Sequence, residues 1–253
     1  MATIAIGDIH GNLAALEDLL GKVLPELQHG DQLVFLGDYV DRGPDSRGCL
    51  ERIVRLKKEC SIRVVGLLGN HEMWMLNSRR DPTRHSWLFT GQGFSTIKSY
   101  SREAAEVLDR EIKEFGPRLL LEKVPLSYEA FFRIVPHDHI EFFEGLKPYH
   151  ETEDALCVHG GVALDGRPLN SQGPSELIWG PDGFPEEYRA ERSVVYGHHD
   201  SSVERSDGWP LPRILPNGTF GIDTISKGVL TAMRFPDGKI FQSDIHLFDF
   251  GDE

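Results

Sequence analysis

The sequence predicts a layered α/β fold, on three observations. Apolar runs of strand length recur, each stops at a glycine-flanked cluster of Asp, Asn or His, and apolar residues at helical spacing fill the intervals. The runs are Ile4 and Ile6, then Leu33-Val34-Phe35-Leu36, then Val64-Val65-Gly66-Leu67-Leu68. They open into Gly7-Asp8-Ile9-His10-Gly11, Gly37-Asp38-Tyr39-Val40-Asp41-Arg42-Gly43 and Gly69-Asn70-His71-Glu72. In open α/β sheets the carboxyl ends of the strands are where sites are built.

After the first cluster, Leu13, Leu16, Leu19, Leu20, Val23 and Leu24 recur at helical spacing, and Pro25 stands where that helix should end. A strand over 31–36 delivers the second cluster. Leu50, Ile53 and Val54, closed by Lys57-Lys58, mark the next helix, and a strand over 62–68 delivers the third. From 74 to 150 the chemistry goes quiet. The segment 102–115 has the charge alternation of an exposed amphipathic helix, and Phe142, Phe143 and Leu146 anchor another over 136–146. No Gly/Ser-rich or like-charge linker interrupts the chain, so 1–253 reads as one domain with 74–150 as a mainly helical cap inside it. The last hundred residues read as strands. Ala155-Leu156-Cys157-Val158 precedes His159-Gly160-Gly161, and Ser193-Val194-Val195-Tyr196 precedes Gly197-His198-His199. Pro236-Asp237-Gly238 supplies a turn between two final strands, 229–235 and 239–243, which should pair as a hairpin.

The 253 residues carry a formal charge of −13, which argues against a general nucleic-acid or anionic-membrane binder. No run approaches the roughly 18 apolar residues of a membrane span. The start lacks a basic segment with a signal-like apolar core, so the cytoplasm is the expected compartment. Cys49, Cys60 and Cys157 are odd in number and not spaced as metal pairs, so they are expected to be free, small apolar residues.

Carboxylates, an amide oxygen and imidazoles are the donor set of borderline-hard divalent ions, for which manganese, iron and zinc all qualify. The residues predict two such ions, with Asp8 and His10 on one, Asn70, His159 and His198 on the other, and Asp38 shared between them. Such a pair can hold a hydroxide at neutral pH and neutralise phosphoryl oxygens during displacement. Arg42 suits bidentate contact with a phosphate. His71, beside Asn70, would give a proton to the leaving oxygen, with Asp41 holding its ring. Any one of these histidines alone is more often structural, and Asp41-Arg42 alone could be a salt bridge in a turn. Their joint placement at strand ends is what singles them out.

These motifs resemble the phosphoprotein phosphatase family within the calcineurin-like metallophosphoesterases. The three clusters match its three-part signature, and His159-Gly160-Gly161 and Gly197-His198 match its later histidines. The resemblance implies a four-layer α/β/β/α sandwich of mixed sheets flanked by helices. It implies the metal ligands already assigned, Arg42 and Asn70 on the substrate phosphate, and His71 with Asp41 as the acid pair. The departures are His199 where the family usually has Thr, and Gly180-Pro181-Asp182 after Trp179 where bacterial members often place a second phosphate-binding arginine. Arg192, or otherwise Arg189, is the expected replacement; His199 is expected in solvent or at the substrate rim. The implied reaction is one-step hydrolysis of a phosphomonoester. The leading expectation is a bacterial-type Ser/Thr protein phosphatase, acting on a phosphorylated protein, phosphotyrosine or small esters. The alternative is a dinucleoside polyphosphate hydrolase of the diadenosine tetraphosphate type, relatives of which often lack the aspartate equivalent to Asp41. A metal-stabilised binding module without activity is a remote third.

Overall fold

The computed structural model describes residues 1–189 and 192–248. Strands β1 (Thr3–Ile6), β2 (Gln32–Phe35) and β3 (Arg63–Gly66) alternate with helices α1 (Leu13–Val23) and α2 (Ser46–Glu59). Local signals start the helices. The Asn12 side chain accepts the Ala15 N–H at 3.1 Å and the Asp45 side chain accepts the Gly48 N–H at 2.7 Å, each satisfying a donor that the first turn leaves over. Pro25 falls in a short 3-10 turn, Leu24–Glu26, that ends α1.

Helix α3 (Asn70–Arg80) begins on the third cluster and is followed by α4 (Ser86–Phe89), α5 (Phe94–Tyr100), α6 (Arg102–Phe115), α7 (Arg118–Leu121), α8 (Glu129–Phe132) and α9 (His137–Glu144). The sequence anticipated only α6 and α9 here, because the shorter helices give too few turns for a periodicity. Trp87, Ile97, Leu108, Phe131 and Phe142 from these helices are buried in one cluster with Leu16, Leu20, Leu50 and Ile53 of α1 and α2.

Next come β4 (Tyr149–Glu151), β5 (Leu156–Val158), α10 (Pro174–Trp179) and β6 (Val194–Tyr196). The chain closes with β7 (Val203–Glu204), β8 (Pro210–Leu211), β9 (Arg213–Ile214), β10 (Thr219–Gly221), β11 (Thr231–Phe235) and β12 (Ile240–Gln242). One mixed sheet has the order β12-β11-β1-β2-β3, and the other the order β4-β5-β6-β10-β9. The three motif strands β1, β2 and β3 are parallel neighbours, so their carboxyl ends lie side by side. In the second sheet β5 and β6 are parallel neighbours, and His159 and His198 follow their carboxyl ends. β11 and β12 pair antiparallel, as the turn chemistry of 236–238 predicts.

The period of two along each strand assigns the layers. Ile4, Ile6, Leu33 and Phe35 face the helices, whereas Ala5, Val34 and Leu36 face the second sheet. With Met233 of β11 on the same face, they meet Ala155, Cys157, Val195 and Ile222 in a closed apolar layer. The outer face of the second sheet carries Leu156, Val158, Val194 and Tyr196, covered by Leu177 of α10 with Val162 and Tyr188. This is the two-sheet, helix-flanked sandwich expected, with a thin fourth layer of one short helix and loop. The cysteines are free; Cys49 and Cys157 are buried in apolar layers. Among the described residues no helix is long and apolar enough to cross a membrane.

Met233 is 2% exposed within the layer between the sheets. Met233→Ala is expected to lower the unfolding free energy by about 2–5 kcal/mol, the cost of an unfilled cavity. Urea denaturation checks this, and an unchanged midpoint would count against that layer being close-packed.

Candidate metal centre

The site forms where the carboxyl ends of β1, β2 and β3 meet those of β5 and β6. The loops after β1 and β2 grip each other through backbone bonds. Asp38 O accepts from Ile9 N at 3.0 Å and His10 N at 2.8 Å, and His10 O accepts from Gly43 N at 3.0 Å. Glu72 pins the third loop to the second. Its carboxylate accepts from Asp38 N (2.9 Å), Tyr39 N (2.8 Å) and Gly69 N (3.2 Å). Sequence reading gave Glu72 no role, although its place in the third cluster was the available signal.

These loops hold their residues in unusual conformations. Among the described residues six non-glycines have positive φ, and His10, Asp38, Asp41, Arg42 and His198 are five of them. Left-handed backbone strain of this kind, concentrated at one place, marks a site that the surrounding structure over-determines. Gly37 has φ of +118°, and a Cβ there would stand 2.8 Å from both Gly69 N and His159 Nδ1. No side chain fits where the second loop passes under the histidine.

The hydrogen bonds decide which nitrogens face inward. His10 Nδ1 lies 3.0 Å from Val40 O and His159 Nδ1 lies 3.0 Å from Leu36 O. A carbonyl only accepts, so each Nδ1 carries the proton and each Nε2 presents its lone pair to the centre. Those lone pairs converge on Asp38. His10 Nε2 is 3.5 Å from Asp38 Oδ2, and His159 Nε2 is 3.5 Å from Asp38 Oδ1. Asn70 Oδ1 lies 3.0 Å from His159 Nε2 and 2.9 Å from His198 Nδ1. Among the described residues, two groups could hold a metal ion: His10, Asp38 and His71, and Asp38, His159 and His198. Asp8 borders them: its Oδ2 accepts the His198 N–H at 3.0 Å, while its Oδ1 is buried with no partner.

The donor set fits divalent ions. Asp8 Oδ1, His10 Nε2 and His198 Nε2 are buried without a protein partner, a cost that close-packed proteins avoid unless something else satisfies the atoms. The Nε2 lone pair of His159 faces the Asn70 amide oxygen at 3.0 Å, a repulsion that a cation shared between them would relieve. Burial lowers the pKa of His10 and of His159, so extra protons do not relieve the conflict. Burial, with His159 and His199 nearby, pushes His198 down to about 3. Asp8 is raised by burial and by the charges of Asp223 and Asp38, a penalty that positive charge in the site would remove.

His71 and Asp41 form a buried pair, Nδ1 to Oδ2 at 2.8 Å. Burial would lower the His71 pKa, but the Asp38 charge and the Asp41 bond outweigh it and raise it. The His71 backbone N–H donates to Asp38 Oδ1 at 3.1 Å, and exposed Arg42 brings Nη2 to 3.5 Å from His71 Nε2. Asp41 is itself braced. Trp87 Nε1 donates to Oδ1 (3.0 Å) and Oδ2 (3.1 Å), and Thr96 Oγ1 donates to Oδ1 at 2.6 Å. Both come from α4 and α5, in the segment that the sequence left without chemistry, where no local pattern points to them.

Thus Asp8, His10, Asp38, Asn70, His159 and His198 come together, with His71, Asp41 and Arg42 beside them. Arg192 does not. It precedes β6 whereas His198 follows it, so the strand carries the two to opposite ends, and the guanidinium binds Glu151 and, at 2.6 Å, Thr152 O. Arg189 is spent on the carbonyls of Glu186 (2.6 Å) and Tyr188 (2.8 Å). His199 is exposed, its ring 4.0 Å from that of His198.

The family model for calcineurin-like phosphoesterases matches residues 1–225. The chain belongs to that family. It is a metal-dependent phosphoester hydrolase, and its His/Asp groups are of the kind dinuclear metallophosphoesterases carry. It is 24% identical to the symmetrical bis(5'-nucleosyl)-tetraphosphatase of Vibrio parahaemolyticus, over 96% of this chain and 99% of that one. Against the asymmetrical bis(5'-nucleosyl)-tetraphosphatase of Halalkalibacterium halodurans it is 26% identical, over 92% of this chain and 89% of that one. Serine/threonine-protein phosphatase 1 of Salmonella typhimurium is 37% identical, over 41% of this chain and 45% of its own. In fold, the chain is similar to a solved protein provisionally named a diadenosine tetraphosphatase, with TM-score 0.60 and 23% identity, over 95% of this chain and 92% of that one.

Thr96→Val removes the hydroxyl that holds Asp41 while keeping the side chain's shape. It is expected to destabilise the protein by about 1–3 kcal/mol, because a buried carboxylate loses a donor. A urea midpoint equal to that of the unaltered protein would show that this bond holds nothing.

Proposed function

We propose that this phosphoesterase hydrolyses dinucleoside polyphosphates of the diadenosine tetraphosphate type. One observation carries the reading: likeness to bis(5'-nucleosyl)-tetraphosphatases runs through more than nine-tenths of the chain, whereas likeness to the protein phosphatase covers 41%. The expectation of a Ser/Thr protein phosphatase thus becomes the second reading. The buried His71–Asp41 pair favours it, since a serine alkoxide needs a proton to leave and a nucleotide phosphate needs one far less.

In either reading Asp8 and His10 would hold one divalent ion, Asn70, His159 and His198 a second, and Asp38 would bridge them. Bound there, such ions supply Lewis acidity toward phosphoryl oxygens and acidify water. Arg42 grips the substrate phosphate from the open side with Asn70 beside it. His71 Nε2 delivers a proton to the leaving oxygen, while Asp41, accepting from Nδ1, keeps the ring turned inward. Trp87 and Thr96 hold Asp41 in place for that task.

The deciding experiment sets initial rates of the manganese-loaded protein on diadenosine tetraphosphate against those on a phosphoserine peptide. Faster cleavage of the dinucleotide is expected, giving two ADP if the cut is symmetrical and ATP with AMP if it is not. Preference for the peptide would reverse the assignment. His71→Asn is expected to lower kcat by about 10²–10⁴ with metal content unchanged; loss of metal instead would move His71 into the ligand set. Asp38→Asn should weaken both ions together, because one charge serves two cations. Elemental analysis showing only one ion lost would contradict the bridge.

A further inference from the structure

Two tryptophans stand at the mouth of the centre, and the reaction proposed above leaves them unused. Trp74 lies one helical turn beyond His71, with ring centroids 5.3 Å apart. Trp179 ends α10, and its ring is 5.0 Å from that of His198, nearly perpendicular at 86°. The two indoles touch each other at 5.3 Å. They therefore make a continuous aromatic ledge from the first sheet's side of the site to the second's.

Trp179 is 37% exposed and Trp74 is partly buried. Indole is the largest apolar side chain, and exposing it at the edge of a phosphate site sacrifices burial that a core position would reward. The ledge is also built rather than loose. Gly91 backs Trp74, where a Cβ would come within 3.1 Å of its Cε3, and Trp179 is braced on both Trp74 and His198.

We infer that Trp74 and Trp179 form a stacking platform for one nucleobase of the substrate. This rests on the dinucleotide reading, because a phosphoseryl peptide brings no base to stack. Phosphates are drawn to Arg42 and the ligand cluster, and the nucleoside attached to them has the indole faces within reach. Stacking reads a π-face rather than hydrogen-bonding edges, so adenine and guanine dinucleotides should both be accepted. The platform also offers a non-ionic hold on the substrate, of use to a chain whose net charge of −13 repels polyphosphates.

The test pairs kinetics with a binding signal. Trp179→Ala and Trp74→Ala should each raise the KM for diadenosine tetraphosphate, relative to the Ki of inorganic tetraphosphate, by about 5- to 150-fold, the usual worth of one base stacked on an aromatic ring. Trp179→Phe should recover most of the loss. Independently of turnover, AMP should quench the tryptophan fluorescence of the unaltered protein, and Trp179→Ala should abolish that quenching. If the protein cleaves the dinucleotide while both alanine variants keep its KM, the platform is wrong and the function stands. If the dinucleotide is not cleaved, the function fails, and the AMP titration still decides the platform: quenching lost in Trp179→Ala supports it, and absence of quenching overturns it.

Discussion

Two sheets pressed together through Ala5, Val34, Leu36, Cys157, Val195 and Met233 set the distance on which the centre depends. Asp38 follows a strand of one sheet, His159 follows a strand of the other, and their side chains stand 3.5 Å apart. A slip of one residue in that contact would move a ligand by roughly 3.3 Å, more than coordination tolerates. The apolar layer therefore does more than stabilise the fold. It supplies the rigid reference frame that a multi-strand site requires.

Against that frame the loops accept unfavourable local structure. Asp8, His10, Asp38, Asn70 and His159 are almost wholly buried, two of them (His10 and Asp38) with positive φ, and three of the centre's atoms have no hydrogen-bond partner in the protein. Each of these is costly alone. They persist because carbonyls orient the imidazoles, Glu72 gathers the backbone N–H groups of two loops, and the sheets leave the ligands nowhere else to go. Divalent charge in the centre would turn the same penalties into affinity.

The helical segment between β3 and β4 takes part in this too. Trp87 and Thr96 fix Asp41, Asp41 fixes His71, and Trp74 and Gly91 shape the rim. A braced histidine suits a poor leaving group, and an exposed aromatic rim suits a substrate that carries a base, so the two features pull toward different phosphoesters. With Arg192 turned to Glu151, Arg42 is left as the sequence-predicted phosphate clamp that reaches the site.

The sequence by itself determined what is local. Strand and helix periods, capping residues such as Asn12 and Asp45, and the glycine-bounded clusters are written in consecutive residues, so β1 to β3, α1, α2 and the polar clusters that the fold gathers were legible. The pairing of β11 with β12 was legible through its turn. Only the tertiary structure decided which end of a strand a neighbouring residue occupies, and so removed Arg192 from the site. It alone decided which imidazole nitrogen points inward, since that follows from carbonyls about 30 and 123 positions away in the chain. The same holds for Trp87, Thr96 and the meeting of Trp74 with Trp179. Contacts between residues distant in sequence depend on how whole layers pack, and no single stretch of chain carries that information.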